Sequence, residues 1–156
     1  MPTNQEKEAL LQEVDSVVQD ACAWFEGPGL TSQARVEEWG AWEVLAHFLY
    51  WHNLTAESVK SVAEGGPPLG LPAPLDETNS IAIARQAGKT IPDLVAELRN
   101  IHSQYVQEVQ SFDNLDVPIR IRPNGTHATV LHQLQQNSNH IRGHMQQLRE
   151  AESTNL

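Results

Sequence analysis

The chain is poor in cysteine, in basic residues and in long apolar runs, and each shortage excludes something. Its one cysteine, Cys22, rules out an intramolecular disulfide and a cysteine-rich zinc module. Ten Lys and Arg stand against 20 Asp and Glu, for a formal net charge of −10. A nucleic-acid binder needs a basic face to neutralise phosphates, and a protein held on an anionic membrane needs one too. Neither partner is expected. No apolar run approaches the ~18–20 residues of a membrane span. The opening MPTNQEKEALL is polar and acidic and lacks the basic and apolar segments of an export signal. The expected location is the cytoplasm.

What is present suffices for one compact domain over residues 1–156. Hydrophobic residues make up 40% of the chain, enough for a core. Ala9, Leu10, Val14, Val17, Val18 and Ala21 recur at three- and four-residue steps, which predicts a helix from about Gln5 to Phe25. Thr3 or Asn4 can cap it, and Gly27-Pro28-Gly29 stops it. A second helix is predicted from about Trp39 to Glu64, dense in aromatics. The stretch from Gly65 to Pro74 holds four prolines and reads as a stiff connection without a regular ladder. A short helix follows over about Asp76 to Gln86. A third long helix is predicted from Pro92 to Phe112, with the proline in its first turn. The irregular crossing Asp113–Gly125 includes Ile119 to Arg122, whose alternation suits a brief extended segment. Thr126 is the expected cap of a last helix running to about Ala151, with a loose tail over Glu152–Leu156. Four long helices joined by far-reaching links predict an all-α four-helix bundle with crossover connections.

Seven histidines are the one unusual feature of the composition. His140 and His144 are four apart, so they stack on one helix face and can approach a single ion. No Glu follows the first, which excludes the zinc-protease motif. At ~100° per residue, His144 lies roughly 80° and His140 roughly 120° from Leu134, on the shoulder of the apolar stripe. Asn137 shares that shoulder. A bundle metal site needs side chains at such a seam. A third ligand must come from another helix, and His47 lies among Val44, Trp51 and Leu54 in the apolar sector of the second helix. His52, His102, His127 and His132 are assigned structural or surface roles.

Trp42-Glu43-Val44-Leu45-Ala46-His47-Phe48-Leu49-Tyr50-Trp51 resembles the second-helix signature of the DinB/YfiT-like superfamily, a tryptophan and an apolar pair before a metal-binding histidine. Asn139-His140-Ile141-Arg142-Gly143-His144-Met145-Gln146-Gln147-Leu148 resembles its last-helix motif, where two histidines four apart precede a glutamine. The resemblance covers nearly the whole chain. It implies a four-helix bundle in which His47, His140 and His144 hold one divalent ion; imidazole donors suit zinc, nickel, iron and copper, and zinc or nickel is the expectation.

Three imidazoles leave an ion its full charge and an open position. The ion can then acidify water or hold a thiolate. Both kinds of chemistry are attributed to the superfamily, so the expectation is a metal-dependent enzyme acting on a small molecule. It is either a hydrolase or a transferase or isomerase using a low-molecular-weight thiol. The alternatives are a non-catalytic protein that binds or sequesters a small molecule, and a dimeric structural helical module. A homodimer is expected under each. Glu43 is read as a helix-start carboxylate. Trp42, Tyr50 and Trp51 are read as core before pocket wall, and Arg120, Arg122, Arg85 and Lys89 as surface groups before anion contacts.

Overall fold

The computed structural model describes residues 3–71 and 73–154. Helix α1 (Asn4–Glu26) starts at a capping box. Thr3 Oγ1 accepts from the Glu6 amide at 3.1 Å, and Glu6 Oε2 accepts from the Thr3 amide at 2.9 Å. Two orphan donors of the first turn are thereby satisfied. A short hairpin, β1 (Arg35–Val36) with β2 (Trp39–Gly40), leads into α2 (Ala41–Ala63). Then come α3 (Leu75–Ala84), α4 (Ile91–Gln110), the hairpin β3 (Pro118–Ile121) with β4 (His127–Thr129), and α5 (Val130–Thr154). The architecture is the all-α bundle that the periodicity predicts, with four long helices and one short one.

Helix α2 is the centre of the molecule. Its buried residues include Val44, Leu45, Ala46, Phe48 and Leu49 in succession around His47, so almost every side of the helix is covered. A helix apolar all round must lie inside. It packs most extensively on α4, while α1 packs on α5 and α4. The side of α2 that these helices leave open is covered by connections: α3, β2 and β3 all contact it.

The structure corrects several boundaries. Trp39 is in strand β2, paired with Val36, and α2 begins two residues later. Helix α4 ends at Gln110 rather than Phe112. Thr126 does not cap α5. It sits in the β3–β4 turn, while Thr129 Oγ1 accepts from the His132 amide at 3.2 Å at the real start of the helix. Glu152–Thr154 of the expected loose tail are helical, and Asn155 and Leu156 lie outside the described residues. The proline-rich connection does pair, at one point. The Leu69 amide donates to the Ile119 carbonyl at 3.1 Å, and the Ile121 amide donates to the Leu69 carbonyl at 2.9 Å. Leu69 thus clasps β3 from the side opposite β4; Pro72 lies outside the described residues. None of the described helices is long and apolar enough to cross a membrane.

Candidate metal centre

His47 stands in the middle of α2, buried at 5% exposure, while His140 and His144 project from successive turns of α5. The two helices bring all three together. One ring nitrogen from each lies within 4.8 Å of the others. The ring centres are 4.7–5.2 Å apart, and the Nε2 atoms of His47 and His140 are separated by 2.9 Å. Zn–N bonds of about 2.0–2.1 Å in a tetrahedron place neighbouring nitrogens about 3.3 Å apart. The closest pair would need to spread by less than an ångström to share an ion.

Electrostatics keep these rings neutral. Burial, reinforced by the neighbouring His140 and His144, pushes His47 down to about 3. Burial, then His144 and Arg120, pushes His140 down to about 4. His144 is also lowered by burial, which outweighs its hydrogen bond to Gln147. A neutral imidazole offers a lone pair, and only that form ligates.

The nitrogens facing away from the cluster have partners suited to orienting them. His144 Nδ1 lies 3.2 Å from Gln147 Oε1, and an amide oxygen can only accept, so Nδ1 carries the proton and Nε2 the lone pair. Trp51 Nε1 lies 3.1 Å from Asn79 Oδ1 and 3.2 Å from His47 Nδ1. The indole N–H donates to both, so His47 Nδ1 is the acceptor in this arrangement. A ligating His47 would donate Nδ1–H to Asn79 Oδ1, the same oxygen that receives the Trp51 indole. A carbonyl oxygen has two lone pairs and can serve both. On these grounds the donor set fits a divalent ion.

The triad lines a cavity of about 350 Å³. Trp39 leans on His47 with ring centres 4.8 Å apart. Trp51, Leu75, Asn79 and Arg120 form further wall, and Gln133, Gln136 and Asn137 extend it along α5. The Arg120 guanidinium carbon lies 4.9 Å from the centre of the Trp51 ring.

The remaining candidates fall elsewhere. Glu43 Oε2 accepts from the Gly40 amide at 3.2 Å and closes the start of α2. Trp42 donates to the Lys89 carbonyl at 2.8 Å, and Lys89 pairs with Glu97 at 2.6 Å. Tyr50 packs with Leu54 and Ala82 under Arg85. Arg122 is spent on the β3–β4 turn, donating to the His127 carbonyl at 3.0 Å. Of the three aromatics weighed as pocket wall, only Trp51 lines the cavity. Cys22 is buried and its thiol is pushed up to about 11 by burial, so it is an inert core group. His127 and His132 are exposed. His52 and His102 form a second buried cluster with Asp15 and Tyr105.

Sequence reasoning missed Trp39 as a wall, and also Asn79, Gln133 and Gln136. A signal existed for the last two, since they precede His140 by seven and four residues and so share its helix face. None existed for Asn79, whose approach depends on how α3 folds back on α2.

No curated protein and no solved structure matches the chain significantly. A family model described as DinB superfamily matches residues 28–148, from the turn after α1 to the last turns of α5, a span that includes all three histidines. The chain belongs to the DinB superfamily.

Proposed function

We propose that His47, His140 and His144 hold one divalent ion, and that the protein is a metal-dependent enzyme acting on a small molecule. The observation that carries this reading is the convergence of three neutral imidazoles on an open cavity, with no carboxylate among them. Imidazole donors suit zinc and nickel alike. When bound, such an ion supplies Lewis acidity and holds water or a thiolate in its reactive anionic form.

The protein's own part is to fix and shield. Gln147 holds the His144 ring in the ligating tautomer, and Asn79 Oδ1 stands beside Trp51 where a ligating His47 would donate to it. Trp39 and Trp51 narrow the approach and keep water from the buried side of His47. Among the described residues neither Asp nor Glu lines the cavity itself to act as general base. A thiolate or a hydroxide held by the ion attacks without a separate base, so thiol transfer or isomerisation and hydrolysis both fit such a site. Sequestration of a small molecule without turnover is the second reading, favoured by the same lack of a base.

Elemental analysis of untagged protein, purified without chelator or a nickel column, tests the site. About one ion per chain is expected, lost in folded His47→Ala and His144→Ala. A wild-type protein that stays empty and ignores added zinc and nickel would refute it. Thiol-transfer assays with the loaded protein then separate turnover from sequestration.

A further inference from the structure

The cavity contains a cation whose partner the described residues do not supply. Arg120 is half-buried, and burial acts against its charge. A guanidinium nevertheless remains protonated in proteins. Arg99, Arg142 and Arg149 each meet a carboxylate, of Glu26, Glu13 and Asp20 respectively. Arg35 and Arg122 donate to carbonyls. Arg120 has neither, only the face of Trp51. Yet the chain carries 20 Asp and Glu. Glu37, Glu38 and Asp76 line an adjoining cleft, which shares Trp39, Asn79 and His144 with the cavity but not Arg120.

The backbone that carries the guanidinium is also held in place. Ile119 is fully buried beside it, β4 pairs with Arg120 at Ala128, and Leu69 hydrogen-bonds the residues on both sides. A second donor is nearby. Gln133 Oε1 faces the Thr55 hydroxyl, and Gln133 Nε2 donates to Gln136 Oε1 at 3.4 Å. This leaves the Gln136 amide N–H groups as donors at the cavity wall.

We propose that Arg120, with Gln136 lining the same cavity, is the anchor for a carboxylate carried by the small molecule that enters it. A planar guanidinium matches a carboxylate with two parallel hydrogen bonds. Enclosure strengthens the attraction, and the pairing removes the cost of a lone half-buried charge. In a protein of net charge −10, this is a local positive spot that admits an anion the rest of the surface repels. The inference rests on the metal reading only in placing the acid and the reacting group in one cavity.

The test is calorimetric titration of para-mercaptobenzoate and its neutral amide into zinc-loaded and metal-free protein near neutral pH, with metal content measured on the same samples. The rigid ring prevents the carboxylate from reaching the ion that takes the sulfur. Wild type should bind the acid roughly tenfold tighter than the amide. Arg120→Gln should bring the acid to the level of the amide while leaving the amide and the metal content unchanged, and Arg120→Lys should recover part of the preference. Equal affinities, no binding of either probe, or a preference that survives Arg120→Gln would overturn the proposal. An Arg120-dependent preference in protein that takes up no zinc would sustain the anchor and sink the metal reading instead.

Discussion

Helix α2 carries two buried histidines five residues apart, His47 and His52, and each meets a different cluster. At ~100° per residue they point about 140° apart, one towards α5 and the cavity, the other towards α4 and α1. Around His52 every contact closes on the protein. Asp15 Oδ1 can only accept, so His102 Nε2 donates to it at 3.0 Å. With His102 uncharged, its Nδ1 then accepts, so His52 Nε2 must donate at 3.0 Å. Tyr105 stacks beside them with its ring centre 4.8 Å from that of His52. The carboxylate sets the direction of the whole chain, and the lone pair of His102 is taken up by the N–H of His52. Around His47 no carboxylate does so, and the ring nitrogens of three helix turns face one another beside open space. Burial and neutrality are common to both clusters. The difference is whether an acidic partner turns the rings so that a neighbouring N–H takes up the His102 lone pair, and that separates a packing cluster from a ligand set.

The widest gap between the clusters should appear in metal content. His47→Ala, His140→Ala and His144→Ala should each take the ion from about one per chain to near none, whereas His52→Ala and His102→Ala should leave it intact by elemental analysis. Loss of metal in the His52 variant, with the fold preserved, would erase the distinction drawn here.

Stability should show the reverse order. His52→Ala leaves a cavity and strands a buried acceptor on His102, for a loss of about 2–4 kcal/mol in denaturant unfolding of the metal-free protein. His144→Ala, at the cavity edge, should cost less than about 1 kcal/mol under the same conditions.

A finer probe lies in the orienting contacts. Asn79→Ala removes the oxygen that accepts from Trp51 and would accept from a ligating His47, and should weaken zinc binding about 10–100-fold in competition with a chromophoric chelator. Asp15→Asn, which touches the orienting group of the other cluster, should leave zinc affinity unchanged.

The smallest effect is in pH dependence. His52 is held down to about 3 and His102 below its usual value, both chiefly by burial. In the unfolded chain each protonates near about 6.5. Below that pH the unfolded state binds more protons, so this contribution is complete above about pH 6.5 and is lost as pH falls towards about 3. In metal-free protein, His52→Leu should flatten the slope of stability against pH by up to about one proton in that window. An unchanged slope would mean that His52 is not held neutral by the fold.

The meeting of His47, His140 and His144 was legible because a helix repeats every turn and because two short motifs in order resemble a known family. The same periodicity could not show the second cluster. His52 and His102 lie on different helices, and their pairing with Asp15 depends on the rotation of α1 and α4 about their axes, which no single pattern fixes. The helices were legible to within a few residues, but their ends were not always. Thr126 has the right chemistry for a cap, yet the β3–β4 pairing carries the chain three residues further and Thr129 takes the role. Leu69 was opaque for a related reason. Its partners are backbone groups some fifty residues away, and backbone pairing leaves little trace in side-chain composition.

The cavity is built from two kinds of material. The side chains that face the proposed ion stand on α2 and α5, whereas Arg120, Leu75 and Asn79 stand on the segments that link the long helices. Helices locked in a core resist change, while links on the surface tolerate it. Descendants of such a chain can therefore exchange what the cavity admits while inheriting the three histidines untouched, and a protein engineer seeking a new specificity would rewrite residues 69–79 and 118–122 before any position on the helices.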